Sequence, residues 1–410
     1  MRILDVVAPS RLGPSFRWLL SSSVISNIGD GIALAAGPLL VASETKDPVL
    51  VAAAAFLLRL PWLLFGVVAG AYVDRLNRRL IVITVDSMRA MVLLALTVTV
   101  ATGVVNIPVV LAAMFLIGTA ETLADLASTT LLPSIVGSAD LGIGNARLQG
   151  GFIVTNQLVG PPIGAFLFAV GRSVPFAVNV VCALLGALLM VRVVVPRTGV
   201  VERRAVRHEI AEGVGWLWRH APMRTLAITI VMFNLTFGAA WSVLVLYSTQ
   251  VLHMSGAGFG LLITASAVGG LVGTTSYGWL ERHFSLADIM RVGLVIETFT
   301  HLALALTREP WVALLVMVVF GTHIFVWGTT STTVRQRAVP GELLGRVTSV
   351  YQIGSMGGMV VGTALGGVIA GVWGLTAPFW FGFVGSAVLV AILWRALGHI
   401  AHAGAAPRPA

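Results

Sequence analysis

Residues 70–79 read GAYVDRLNRR. They lie between two long, mostly apolar runs, Val49–Val73 and Leu80–Val104, and place four charges in their last six positions. Each flanking run is long enough to cross a hydrocarbon core of roughly 30 Å as a helix. The stretch therefore reads as a short hydrated turn between two membrane helices. Composition agrees: with 57% hydrophobic and 10% charged residues in 410, a water-soluble chain would expose too much apolar surface. The class is a polytopic membrane protein, with little room for a soluble domain.

Working outward, apolar segments predict twelve spans, at about 16–42, 49–72, 80–104, 107–135, 143–170, 174–195, 222–247, 257–280, 286–306, 310–334, 344–372 and 375–397. The first, from Phe16 to Ala42, is long enough to be a helix of the mature chain rather than a cleavable signal. Alternating the spans puts Lys46, Arg172 and Arg308 on one side, with Arg59 and Arg89 inside spans. Every other basic residue falls on or near the opposite side, which places both termini in the cytoplasm. The net charge of +9 thus belongs to membrane topology, and no nucleic-acid partner is expected. Cys182 is the only cysteine and can form no internal disulfide.

Polar residues inside the spans are costly there and mark candidate sites. Asp30 lies about 20 Å along the first span and Arg59 about 15 Å from the outer end of the second. Each can face a cavity, or the two can pair with one another, the preferred arrangement. In the third span Asp86 and Arg89 are three apart and can pair on one face. Glu121 and Asp125 are four apart on the fourth span, with Glu121 near its middle and Asp125 closer to the rim. Two carboxylates on one buried face repel, so at least one holds a proton or meets a cation. In the fifth span Asn156 and Gln157 either line a cavity or bond between helices, and Asn156 continues the face of Gly160 and Gly164 one turn upstream. Pro161-Pro162 bends that helix. In the second half Asn234, Glu297, His301 and His323 lie within spans. Trp62, Phe233 and Trp241 supply either aromatic surface for an amphiphile or ordinary packing. Asp30, Arg59, Glu121, Asn156, Asn234 and His323 are expected to point into a cavity between two halves, with Gln157 and Glu297 as further candidates.

The one long polar connection, between Pro196 and Pro222, carries EIAEGVGWLWRH at 209–220 with apolar residues at helical spacing. It predicts an interfacial helix joining two bundles and drawn to membrane lipid. Gly160 and Gly164 recur about half the chain further on as Gly362 and Gly366, within a ladder that includes Gly354 and Gly358. Glu281-Arg282 after Gly278 is a degraded copy of Asp74-Arg75 after Gly70. Such a ladder offers a smooth face to a neighbouring helix.

The Gly70, Asp74, Arg75, Arg78, Arg79 pattern resembles the cytoplasmic loop signature of the major facilitator superfamily. GPPIG at 160–164 resembles the core of its fifth-helix antiporter motif, without the glycine that motif repeats one turn upstream. NIGDG at 27–31, ETLADLASTTLLPSIV at 121–136, AEGVGWLWRHAPMRTL at 211–226 and PGELLGRVTSV at 340–350 make the whole chain similar to the bacterial drug and siderophore exporters. That group includes the enterobactin exporter and the macrolide efflux proteins. The resemblance implies an all-α membrane protein with twelve transmembrane helices in two six-helix halves. The first half is 1–195, an interfacial linker is 196–221, and the second half with a short cytoplasmic tail is 222–410. It also implies that Asp74 faces the start of the eleventh helix near Leu344–Arg346 and that Arg75 meets Asp125, a latch for the closed state.

No phosphate-cradling glycine loop, metal-ligand spacing or nucleophilic triad is present, so neither an enzyme nor a cofactor is expected. Energy then comes from an ion gradient. The leading expectation is proton-coupled efflux of amphipathic drugs, natural products or siderophores by a monomer in the bacterial cytoplasmic membrane. Glu121 is the first candidate proton carrier and Asp30 the second. Proton-coupled uptake of a small metabolite is the alternative, and a non-transporting receptor or a membrane-embedded enzyme a further one.

Overall fold

A computed structural model describes residues 10–73, 77–137, 140–195 and 206–400. Asp74 and Arg75 lie outside the described residues, so their contacts are too. The described residues are helical, with no strand. In chain order the helices are α1 Gly13–Glu44, α2 Pro48–Val73, α3 Arg78–Ala101, α4 Ile107–Ile135, α5 Leu141–Val170 and α6 Val174–Met190. There follow α7 Val206–Arg219, α8 Ala221–Ser242, α9 Gly256–His283, α10 Leu286–Leu306, α11 Pro310–Ala338, α12 Gly341–Trp373 and α13 Ala377–Ile400. Among the described residues, eleven helices are long and apolar enough to cross a membrane. The remaining apolar helix, α6, has 17 residues, a length of about 26 Å. It ends at Met190 rather than running on to 195, because the following backbone turns to other partners. Arg79 donates to the Val191 carbonyl at 2.6 Å, and the Val194 amide donates to Ser15 Oγ at 3.2 Å.

The helix starts follow from capping chemistry. Asn77 Oδ1 accepts from the Leu80 amide at 3.3 Å, Asn106 Oδ1 from Val109 at 3.1 Å, and Ser285 Oγ from Asp288 at 3.1 Å. Each satisfies one of the amides that a helix N-terminus leaves open. Outward faces stay apolar: Phe166 is 64% and Ile392 70% exposed, as hydrocarbon requires.

The chain packs as two units. One comprises Met1–Lys46, Ala53–Glu202 and Met254–Thr264, the other Asp47–Ala52, Arg203–His253 and Ala265–Ala410. In lipid the hydrophobic effect does little to draw helices together, so close approach at small residues matters most. In the first unit Gly160 and Gly164 of α5 sit so tightly against Gly31 and Ile32 of α1 that an added Cβ would collide with backbone. In the second unit Gly358, Gly362 and Gly366 of α12 lie in the same way on the carbonyls of Val231, Leu235 and Ala239 of α8. The internal repeat of glycines is thus a repeated helix pairing, α1 with α5 and α8 with α12.

The helix of the long connection, α7, buries Leu217 and leaves Trp218 63% exposed. Glu212 pairs with Arg346 of α12 at 2.8 Å, and Trp216 stacks on His220 at 4.8 Å.

Pro161 and Pro162 lack the amides that would close the ladder onto Gln157 and Leu158. The preceding turn widens accordingly into a π-helical stretch, Ile153–Val159. The prolines therefore rewind α5, with Thr155 as the buried residue of the stretch and Asn156 and Gln157 partly exposed.

Candidate functional site: two intramembrane clusters

In the first unit, Arg89 of α3 is buried and reaches across to α1, where its Nη2 forms an ion pair with Asp30 Oδ1. The same nitrogen donates to Asn179 Oδ1 of α6 at 3.3 Å. Two pairings expected from the sequence are corrected by this geometry. Arg89 turns to Asp30 and not to Asp86 on its own helix, and Asp30 is not the partner of Arg59. The reason is that a guanidinium between three helices meets both an ionised oxygen and an amide oxygen there, which an i,i+3 partner alone cannot offer. Gly29 makes the approach possible, since a Cβ on it would overlap Asn179.

Arg59 of α2 has Glu121 of α4 as its electrostatic neighbour. The two helices are drawn together one turn before Glu121, where Gly118 lies on the Leu58 carbonyl. Glu121 in turn feels Asp30, Arg89, Asp125 and Arg59. Among the described residues neither Glu121 nor Asp86 has a hydrogen bond or ion pair, although Asp86 is only 3% exposed. Asp125 is exposed on α4, Trp62 is half-buried, and Asn156 keeps its backbone against Gly31. Of the loop residues, Gly70 is in the last turns of α2 and Arg79 holds the end of α6.

In the second unit, Asn234 of α8 donates through Nδ2 to Ile230 O at 2.9 Å and to Ser355 Oγ of α12 at 3.1 Å. Phe233, Phe237 and Trp241 follow at four-residue spacing and form an aromatic column with two residues of α11. Phe233 stacks on Trp327 at 5.9 Å, and Phe237 on Phe320 at 5.6 Å. Phe237 is visible in the sequence through its spacing from Phe233 and Trp241; Phe320 and Trp327, from a distant helix, are not. Beside the column, Glu297 and His301 of α10 meet His323 of α11, all three buried. Among the described residues no cluster of His, Cys, Asp or Glu is arranged to hold a metal ion.

Comparison with known proteins fits this architecture. A family model described as transmembrane secretion effector matches residues 6–403. The chain is 25% identical over 376 residues to the multidrug efflux pump Tap of Mycolicibacterium fortuitum, covering 88% of this chain and 90% of the pump. It is 26% identical over 295 residues to multidrug resistance protein 1 of Bacillus subtilis, covering 70% of this chain and 72% of that protein. Among solved structures, a bacterial homologue of the iron transporter ferroportin in an inward-facing state superposes with a TM-score of 0.75. It covers 93% of this chain and 98% of its own at 16% identity, a likeness of fold.

Proposed function

From a chain that belongs to the transmembrane secretion effector family of major facilitator transporters, we propose export of amphipathic organic molecules driven by proton entry, with Glu121 as the residue that carries the proton. The observation that supports it most is the imbalance of charge in the first unit. Among the described residues, Asp30, Asp86 and Glu121 share the span interior with Arg59 and Arg89. A net charge held there costs several kcal/mol, so at least one acid holds a proton at rest. Asp30 already has Arg89 as its ion-pair partner, and the same arginine nitrogen donates to Asn179. Glu121 has no bonded partner among the described residues and sits beside Arg59. Losing its proton creates an ion pair with that arginine, and regaining it releases the arginine. Binding and release of one proton thus becomes a rearrangement between α2 and α4.

The multidrug names of the two relatives support amphipathic cargo. Trp62, Asn156 and Gln157 in the first unit, and separately the column of Phe233 and Trp241 in the second, would each offer surface for it. In this reading both termini are cytoplasmic, the transporter works as a monomer in the cytoplasmic membrane, and the Asp74–Arg75 loop closes the latch, with Arg75 as the partner of Asp125.

The test is transport in proteoliposomes under an imposed pH gradient. Glu121→Gln keeps shape and removes titration, so it is expected to abolish gradient-driven dye export while dye binding persists. Wild-type coupling in that variant rejects Glu121. Asp86 supports a second reading, being buried without a bonded partner among the described residues, and loss of coupling in Asp86→Asn alone would assign the proton to it.

A further inference from the structure

The second unit contains a titratable cluster that this mechanism leaves unused. Glu297 and His301 stand one turn apart on α10, and His323 reaches them from α11. Their side chains are 1%, 3% and 1% exposed. The two imidazoles address different oxygens of one carboxylate: His301 Nε2 is 2.9 Å from Oε1, and His323 Nε2 is 3.6 Å from Oε2. Glycines make room for both rings. A Cβ on Gly382 of α13 would lie 2.6 Å from His301 Nδ1, and one on Gly293 would lie 2.9 Å from His323 Nδ1.

Among the described residues the surroundings supply no other charge. From α8 the cluster meets the edge of Phe233, with ring centroids 5.8 Å from His323. From α13 it meets Gly382, and α11 adds Trp327. Among the described residues the only groups acting on the Glu297 carboxylate are the two histidines. Yet polar atoms here go unmatched: Glu297 Oε2, both ring nitrogens of His323, His301 Nδ1 and Trp327 Nε1 are buried without a hydrogen-bond partner. A purely structural cluster would pair such atoms.

Proton counting decides what the cluster holds. An ionised carboxylate with two neutral imidazoles leaves an uncompensated charge, which burial of this depth penalises by several kcal/mol. One added proton makes the site neutral. Placed on an imidazole, it turns the His–Glu contact into a charge-assisted bond. A second proton gives both imidazoles a positive charge on one carboxylate, and the site is again charged. One proton is therefore the stable load. A narrow apolar cleft walled by Phe237, Trp241, Phe320 and Phe379 reaches His301. Its volume of about 10 Å³ is room for one water molecule, enough to pass a proton and too small for an organic cargo.

We propose that Glu297, His301 and His323 form a second proton-binding site of this transporter, separate from the cluster on α1 to α4, which holds one exchangeable proton on its imidazoles. The site does not depend on the role given to Glu121.

The experiment is 15N NMR of the full-length protein in nanodiscs with 15N-labelled histidine, titrated between pH 5 and 9. His301→Gln and His323→Gln assign the two signals. At pH 7 the wild type is expected to show an imidazolium signal from this pair. Glu297→Gln should remove it, leaving both rings neutral, while Glu121→Gln leaves it unchanged. If Glu297→Gln does not fold, His323→Gln takes its place, and His301 should then hold the charge alone. Two neutral rings from pH 5 to 9 in the wild type, or an imidazolium signal that survives Glu297→Gln, would overturn the proposal. Loss of transport in Glu121→Gln has no bearing on either result.

Discussion

Replacing Arg89 by methionine is the most direct probe of the first cluster, because the structure fixes what is lost. The guanidinium side chain is 3% exposed, and the Asp30 side chain that it neutralises is 21% exposed. Severing a buried pair costs about 3–5 kcal/mol, since the remaining charge is stranded. The partial exposure of Asp30 puts this case near the low end, at about 3 kcal/mol. Asn179 loses its donor at 3.3 Å as well, worth about 1 kcal/mol. The total of about 4 kcal/mol is roughly a thousandfold in the folded-to-unfolded ratio. Adding Asp30→Asn removes the stranded charge and is expected to recover about 2 kcal/mol or more, although neither change does so alone. The assay is equilibrium unfolding in mixed micelles, followed by tryptophan fluorescence. A loss under about 1 kcal/mol in Arg89→Met, or a double variant no more stable than the single one, would refute the pairing.

Two further outcomes follow from the packing. Gly362→Ala drives a methyl into the Leu235 carbonyl and should cost about 1–3 kcal/mol with loss of folded yield. Gly354→Ala meets only the tip of Val231 at 3.1 Å and should stay within about 0.5 kcal/mol of wild type in the same unfolding assay. His220 caps α8 by accepting from the Met223 amide through Nδ1 at 3.4 Å, which needs the neutral ring, and burial lowers its pKa from the ordinary imidazole value. A lowered folded pKa means stability that is present above about pH 6.5 and lost as pH falls through the folded value. Hydrogen exchange at the start of α8 should therefore quicken on acidification in the wild type, and His220→Asn should remove that dependence.

Much of this was legible in the sequence. The spans, the helix of the long connection and the smooth glycine face of α12 are periodic signals, written in consecutive residues. The glycine ladder shows directly which face is smooth. Partnerships between spans are of another kind. Asp86 and Arg89 satisfy a local spacing rule, yet Arg89 belongs to Asp30, because the choice depends on where α1 and α6 stand. Asn179 has no local signature in an apolar helix and becomes informative only beside Arg89. Likewise Glu297 and His301 announce themselves at i,i+4, whereas His323 joins them only through the packing of α10 on α11. Short-range pattern specifies helices; the polar sites come from contacts between residues far apart in the chain.

The widened turn in α5 has a consequence for how relatives should be aligned. A π-helical stretch amounts to one residue inserted into an α-helix, so the frame of the face changes across Ile153–Val159. Gly151 and Thr155, then Gly160 and Gly164, all look toward α1, but the step between the two pairs is five positions rather than four. The upstream glycine that the fifth-helix motif leads one to seek at Asn156 is then out of phase: the equivalent position is Thr155. A relative that lacks the widened turn is expected to be one residue shorter here. An alignment that forbids that single gap would place every residue of one half of the helix on the wrong face.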